Sequence, residues 1–419
     1  MTSFSITTLG CKVNFYESEW ISEQLIAMGF SRTDDHASCP DWAIVNTCTV
    51  TNRASRQSRQ VIYQAARRCP NTKIVATGCY ADLDPEALKA LPNVTLVIPN
   101  REKISLPGAL LPSHPNIPPT NMTLTSFKGH TRAYLMVQNG CNANCSYCII
   151  PRVRGKSRSK PIETVLGELD ALSSFGHPEI VLCGIHLGQY GLDLSPRTTL
   201  SALLGKIVAH PFEGRVRISS IEPMELNEEI IRQVSSSEKI CPHFHIPLQS
   251  GDREILQRMN RPYTPEMFET LIRYIGAALP DCTIGSDVMV GFPGETDEAF
   301  KNTCEFLSRL PVSYLHVFPY SERPKTRSQS LSGKISEFTK KARTTHLLGL
   351  AAQKRREFLS SWVGKSDSVV FEKCKGHNLW LGKSAHYLPV KVKSKRDLLG
   401  ACTDVKIVSS EQTFVWGRI

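Results

Sequence analysis

Two hydrophobic periodicities share the first hundred residues. Residues 3–9, 43–47, 73–77 and 94–98 are short apolar runs of strand length. Between them, 15–29 places Trp20, Ile21, Leu25 and Met28 at helical spacing, and 53–68 has the length and breaker-free composition of a helix. Strands alternating with helices at this interval predict an open parallel α/β sheet. Residues 106–120 then hold Pro107, Pro112, Pro115, Pro118 and Pro119, a density predicted to exclude a helix or central strand and to mark a linker. Beyond it, strand-like runs recur at 133–138, 179–185, 215–221, 244–248, 284–290 and 314–318, with helical patterns at 164–172, 228–234 and 266–278. Six strands with helical crossovers suit a barrel or partial barrel. A basic helical stretch, 334–359, leads to short strand runs at 369–372, 387–392, 405–408 and 414–417, a small all-β domain. The expected organisation is therefore 1–110, a linker 111–126, 127–356 and 357–419.

Composition narrows the class. The 419 residues include 50 basic and 39 acidic side chains, a net charge of +11, and are 41% apolar, which suits folded domains and a polyanionic partner. The first ten residues lack a cationic segment followed by a long apolar one, and no apolar run is long enough to span a bilayer. The expectation is a cytoplasmic protein with no membrane partner, whose 14 cysteines are reduced thiols, metal ligands or catalytic groups.

The cysteine positions are more specific. Cys141, Cys145 and Cys148 form a C-x3-C-x2-C run directly after a predicted strand. Three thiolates at this spacing can hold three corners of a cubane iron–sulfur cluster and leave one iron open to a small molecule. Closed zinc sites want a fourth ligand, and none stands at knuckle spacing. Cys11, Cys48 and Cys79 are far apart, yet each follows a predicted strand, so a parallel sheet would bring them to one edge. Gly10 and Gly78 precede two of them and would allow close backbone approach to a bulky ligand. The other eight cysteines read as small core residues without metal-like spacing.

These residues resemble the radical S-adenosylmethionine methylthiotransferases. Cys141, Cys145 and Cys148 with Tyr147 match the radical signature. The runs Thr8-Leu-Gly-Cys-Lys-Val-Asn14, Asn46-Thr-Cys-Thr-Val-Thr-Asn52 and Thr77-Gly-Cys-Tyr80 resemble the family's amino-terminal domain. Gly184-Ile-His-Leu-Gly188, Ser220-Ile-Glu-Pro223, His245-Ile-Pro-Leu-Gln-Ser-Gly251 and Val290-Gly-Phe-Pro-Gly-Glu-Thr296 extend the likeness across the chain, closest to the MtaB type. The resemblance implies an amino-terminal α/β domain, a radical SAM core built as a partial TIM barrel, and a TRAM-like carboxy-terminal β domain. It implies transfer of a methylthio group to C2 of N6-threonylcarbamoyladenosine at position 37 of tRNA. Two [4Fe–4S] clusters and S-adenosylmethionine would be the cofactors, and an electron-donor protein and iron–sulfur assembly machinery would be partners. Related branches act on isopentenyladenosine in tRNA or on an aspartate of a ribosomal protein; outside enzymes, an iron–sulfur or zinc RNA-binding protein remains open.

By that resemblance Cys141, Cys145 and Cys148 hold the cluster that binds S-adenosylmethionine, and Cys11, Cys48 and Cys79 hold an auxiliary cluster that carries sulfur. Tyr147, Gly184, Ser220, Glu222, Gln249 and Ser250 are the candidate S-adenosylmethionine contacts. No side chain is assigned as acid or base, because an unpolarised C–H bond needs a cofactor to break it. Two basic runs are candidate RNA tracks, and a solvated face fits both equally. Arg53, Arg56 and Arg59 recur every third residue in a stretch, 42–81, without a carboxylate. Arg152, Arg154, Lys156, Arg158 and Lys160 alternate along an expected extended segment. The last 62 residues, 358–419, hold ten basic and five acidic side chains with Trp362, Trp380 and Trp416, which suits either RNA stacking or a core.

Overall fold

The computed structural model describes residues 1–33, 39–111 and 122–419. By packing density the chain divides into two units. The first comprises residues 1–128, 139–158 and 321–329; the second comprises 129–138, 159–320 and 330–419.

The first unit is built on five parallel strands: β1 (Ser3–Thr8), β2 (Ser31–Arg32), β3 (Trp42–Thr47), β4 (Lys73–Gly78) and β5 (Val94–Ile98), in the order β2-β1-β3-β4-β5. Helices α1 (Lys12–Ala27) and α2 (Asn52–Arg68) make the crossovers. Thr51 starts α2 by accepting the Ala54 amide hydrogen on its side chain. Ile62 of α2 is fully buried among Val45, Ile74 and Ala76, a burial that stabilises by about 2 kcal/mol. Because all five strands are parallel, the segments after β1, β3 and β4 leave the sheet at one edge. A short helix, α3 (Cys79–Leu83), begins where β4 ends.

Two expectations are corrected here. Residues 106–109 form a helical turn, with Pro107 in its first positions, where a missing N–H costs no hydrogen bond. The rest of the proline-rich stretch, 112–121, lies outside the described residues. Cys39 and Cys69, expected as unpaired thiols, are joined in a disulfide at the end of α2.

The second unit contains all six strands expected there: Arg132–Met136, Glu179–Cys183, Arg215–Ile218, His243–His245, Thr283–Val290 and Tyr314–Pro319. They form two parallel three-stranded sheets, and single bridges at Val216–Ile240 and Ser220–His245 join these into one arc in chain order. Helices cover the outside, among them Ile162–Ser174, Leu200–Ala209, Pro265–Ala278 and Asp297–Arg309. Residues 366–418 then close a five-stranded barrel, so no strand edge is left unpaired. One of its strands, Leu379–Ser384, had no sequence signal because Gly382 interrupts its apolar run. Trp362 and Trp380 lie in the core of this barrel with Val369, Phe371 and Ile407, whereas Trp416 stays partly exposed beside Phe414 and Lys391.

One buried carboxylate fastens this barrel to the strand arc. Glu179, fully buried, accepts from Arg217 at 2.7 and 2.8 Å, from Arg215 at 2.8 Å and from Arg132 at 3.2 Å. The same arginines donate onward to backbone carbonyls of the closed barrel, Arg215 to Ser368 and Lys383, Arg217 to Ser384 and Ala385. No described helix is long and apolar enough to cross a membrane.

Candidate active site

Cys11, Cys48 and Cys79 stand at the ends of β1, β3 and β4, where the sequence pattern predicts them. Cys11 is the residue before α1, and Cys79 is the first residue of α3. Cys48 and Cys79 are buried, and Cys11 is exposed. Gly10 has φ +98°, and a Cβ there would come within 3.0 Å of the Cys48 sulfur. Gly78 has φ +93°, and its absent Cβ would lie 2.6 Å from Asn46 Oδ1 and 2.7 Å from the Thr47 amide nitrogen. Both positions therefore require glycine, and both keep the backbone close around the thiols.

Hydrogen bonds brace the three loops. Asn14 Nδ2 donates to the carbonyl of Leu9 at 2.6 Å and of Thr47 at 3.1 Å, tying the Cys11 and Cys48 loops together. Thr47 Oγ1 donates to the Thr77 carbonyl at 2.5 Å and accepts from the Tyr80 amide at 3.3 Å, tying the Cys48 and Cys79 loops. Burial pushes the Cys48 thiol up to about 11, and the neighbouring Cys79 and Cys11 add to the rise. Cys48 thus lies within electrostatic reach of the other two sulfurs.

Cys141, Cys145 and Cys148, all half-buried, lie in the loop that precedes helix Ile150–Arg154. The Ala143 amide donates to the Cys141 sulfur at 3.3 Å. This loop belongs to the first unit, with Cys11, Cys48 and Cys79. Helix Ile150–Arg154 packs on α3 through Ile149, Ile150 and Val153 against Cys79 and Leu83. The segment carrying one set of three thiols thus rests on the helix that begins with a member of the other. Ser146 accepts the Ser328 amide at 2.8 Å, and Arg323 donates to Thr49 and Ser55, so 321–329 braces both loops.

The expected S-adenosylmethionine contacts fare unevenly. Gln249, in a left-handed backbone (φ +68°), is buried, and its Oε1 meets no donor among the described residues. Such an orphaned buried acceptor suits a polar ligand. Gly184 makes room for a protein group: its absent Cβ would lie 2.9 Å from Gln138 Oε1, which accepts the His186 amide. Glu222 is ion-paired with Arg261, and Ser220 is exposed. Ser250 is fully buried, shares a hydrogen bond with Thr303 at 3.3 Å and accepts the Asp252 amide, so its hydroxyl braces the loop. Tyr147 is half-buried in the first unit. Sequence reasoning missed a cluster in the strand arc. Asp287 accepts from His245 at 3.0 Å and His316 at 3.3 Å, and three potential metal-binding atoms lie within 4.8 Å of one another. These hydrogen bonds, with Tyr314 on His245 Nδ1, account for the cluster without an ion.

Residues 135–307 match the radical SAM superfamily, and residues 3–99 match a family described as uncharacterized protein family UPF0004. The threonylcarbamoyladenosine tRNA methylthiotransferase MtaB of Bacillus subtilis is 36% identical over all of this chain and 96% of its own length. MtaB of Aquifex aeolicus is 39% identical over 85% of this chain and 90% of its own. The chain belongs to the MtaB family of methylthiotransferases. A tRNA-2-methylthio-N(6)-dimethylallyladenosine synthase of Sulfurimonas denitrificans is 32% identical over the whole chain and 99% of its own length. The radical SAM methyltransferase TsrM of Kitasatospora setae shares the fold, with a TM-score of 0.58 at 16% identity over 78% of this chain and 77% of its own.

As a methylthiotransferase of the radical SAM class, the protein works with S-adenosylmethionine and [4Fe–4S] clusters. Two sets of three thiols, the first bordered by Gly10 and Gly78 and within electrostatic reach of a buried guanidinium, fit such groups. The arginines expected along an RNA track divide. Arg53 and Arg56 are exposed on α2, Arg59 donates to the Tyr80 hydroxyl at 2.7 Å, and Arg152 and Arg158 are exposed. Arg154 is not on an RNA face. The segment is a helix followed by a turn, which turns Arg154 inward, where Glu17 accepts from its guanidinium at 2.9 and 3.3 Å. Lys160 is likewise buried against Glu168.

Proposed function

We propose that this methylthiotransferase places a methylthio group on C2 of N6-threonylcarbamoyladenosine at position 37 of tRNA. Cys141, Cys145 and Cys148 would hold the cluster that binds S-adenosylmethionine, and Cys11, Cys48 and Cys79 the one that carries sulfur. The observation that carries this reading is the presence of two three-thiol sets in one unit, each one ligand short of a closed cubane. An iron without a protein ligand supplies one-electron chemistry to the sulfonium at one set and a docking point for sulfur at the other.

The chain's own residues bind, orient and exclude water. Hydrogen bonds from the Asn14 and Thr47 side chains to backbone carbonyls tie the three strand-end loops together without metal. Gln249, buried with a vacant acceptor, suits a donor on S-adenosylmethionine. Arg53, Arg56, Arg152 and Arg158 offer an exposed cationic surface for phosphates. The domains implied are 1–110, 127–356 and 357–419, the last a TRAM-like RNA-binding barrel on which Trp416 is partly exposed beside Lys391 and the exposed Lys393. The cytoplasm, with its electron-donor proteins and iron–sulfur assembly machinery, is the compartment this chemistry needs.

Nucleoside mass spectrometry of tRNA tests the substrate. Cells lacking the gene should lose 2-methylthio-N6-threonylcarbamoyladenosine and regain it on complementation, but not with Cys48→Ala. Loss of the dimethylallyl product instead would reassign the substrate to isopentenyladenosine.

A further inference from the structure

Three charged side chains are buried together beneath the first set of thiols. Glu17, Lys103 and Arg154 are all at most 3% exposed. Lys103 Nζ donates to Glu17 at 2.5 Å and to Asn46 at 3.2 Å. Arg154 donates through both terminal nitrogens to Glu17, and also to Asn14 and Asn139. Asp82, the next carboxylate, accepts the Asn100 amide at 2.7 Å and forms no ion pair with either cation among the described residues. Direct ion pairs join the two cations to one anion, and Asp82 lies within electrostatic reach of both Lys103 and Arg154. A surplus buried charge is strongly destabilising unless something compensates it.

The compensation is absent from the ion pairs but present in the surroundings. Arg154 lies within electrostatic reach of Cys79 and Cys11 as well as Glu17. Its Nε–H meets no acceptor among the described residues, although the residue is 97% buried (3% exposed). Three thiolates on an oxidised cubane core carry one net negative charge, which attracts a neighbouring guanidinium, and cluster sulfurs accept N–H hydrogen bonds.

We infer that Arg154 is a positioning residue for the cluster held by Cys11, Cys48 and Cys79, balancing its charge and donating Nε–H to one of its sulfurs. The inference rests on the reading of those three cysteines as cluster ligands. Arg154 comes from the helix that follows Cys148, so the loop of one cluster supplies the counter-charge of the other. Removing a cation beside a cluster makes reduction harder, so the midpoint potential should fall.

The test uses the full chain with Cys141, Cys145 and Cys148 changed to Ala, reconstituted anaerobically with iron and sulfide. This chain should bind about four irons; if it binds none, the underlying assignment is overturned and the inference with it. In the same chain, Arg154→Gln should lower the equilibrium constant for one-electron reduction about tenfold, roughly 59 mV, by redox titration with electron paramagnetic resonance. Iron bound with an unchanged potential overturns the inference alone. If Arg154→Gln fails to hold its fold by circular dichroism, Arg154→Lys carries the test. That variant keeps the charge but not the Nε–H, and it should lower the constant at least threefold; an identical potential would overturn the assigned hydrogen bond.

Discussion

Glu179→Gln offers a direct test of how the carboxy-terminal barrel is held. The native carboxylate takes four guanidinium hydrogen bonds from Arg132, Arg215 and Arg217. Burial would raise its pKa, but Arg217, Arg215 and Arg132 hold it well below the usual carboxylate range. Because the folded pKa is depressed, this stability is present above the ordinary carboxylate pKa and persists as pH falls to the depressed value. Glutamine removes the charge at every pH and leaves Arg215 and Arg217 buried with only neutral partners, while Arg132 keeps Glu372. Breaking a buried pair in this way costs about 3–5 kcal/mol. The loss should appear where the arginines deliver their other hydrogen bonds, at Ser368, Lys383, Ser384 and Ala385. Urea unfolding followed by the fluorescence of buried Trp362 and Trp380 should show an earlier transition, and amides of 366–410 should exchange faster than those of 283–290. A change below about 1 kcal/mol with unaltered exchange would refute the reasoning.

Three further outcomes follow from the first unit. Gly78→Ala forces a Cβ against the Thr47 backbone in a left-handed conformation and should destabilise the metal-free chain by about 3 kcal/mol, with loss of iron at the first thiol set on reconstitution. Arg56→Glu should weaken tRNA binding and flatten the dependence of log K on log salt by about one unit for each phosphate no longer neutralised; an unchanged slope would place the RNA elsewhere. Glu17 is held at about 2 against its own burial by Arg154 and Lys103, so the metal-free chain should lose about 3 kcal/mol as pH falls from about 4.5 towards 2, and Glu17→Gln should abolish that dependence.

How much of this was legible beforehand follows from the physics of each element. Most strands of the parallel sheets were visible because buried parallel strands are continuous apolar runs, whereas the two-residue β2, Ser31–Arg32, carries no such run. The three scattered cysteines could be grouped because parallel topology puts strand ends on one edge. Arg154 was misplaced because a charge alternation reads as an exposed face only if the segment is extended, and Pro151 opens a helix instead. Glu17 and Asn14 gave no signal: α1 buries polar residues on several sides, so no apolar stripe marks its inner face. Ser250 was grouped with Gln249 as a hydrogen-bonding candidate, and its hydroxyl is engaged by Thr303 and the Asp252 amide. The Cys39–Cys69 disulfide has no short spacing to betray it, since its cysteines are separated by 30 positions.

The division of the chain bears on its synthesis. The first unit is discontinuous: its opening 128 residues are completed by 139–158 and 321–329. A ribosome elongating at about 5–20 residues per second needs roughly 10–40 s to travel from residue 128 to residue 329. Throughout that interval Cys11, Cys48 and Cys79 have emerged while part of their bracing has not. Iron delivered early would meet thiols whose loops lack the hydrogen bonds from Arg323 to Thr49 and Ser55. The loops that carry these thiols are therefore fully braced only once elongation has passed residue 329.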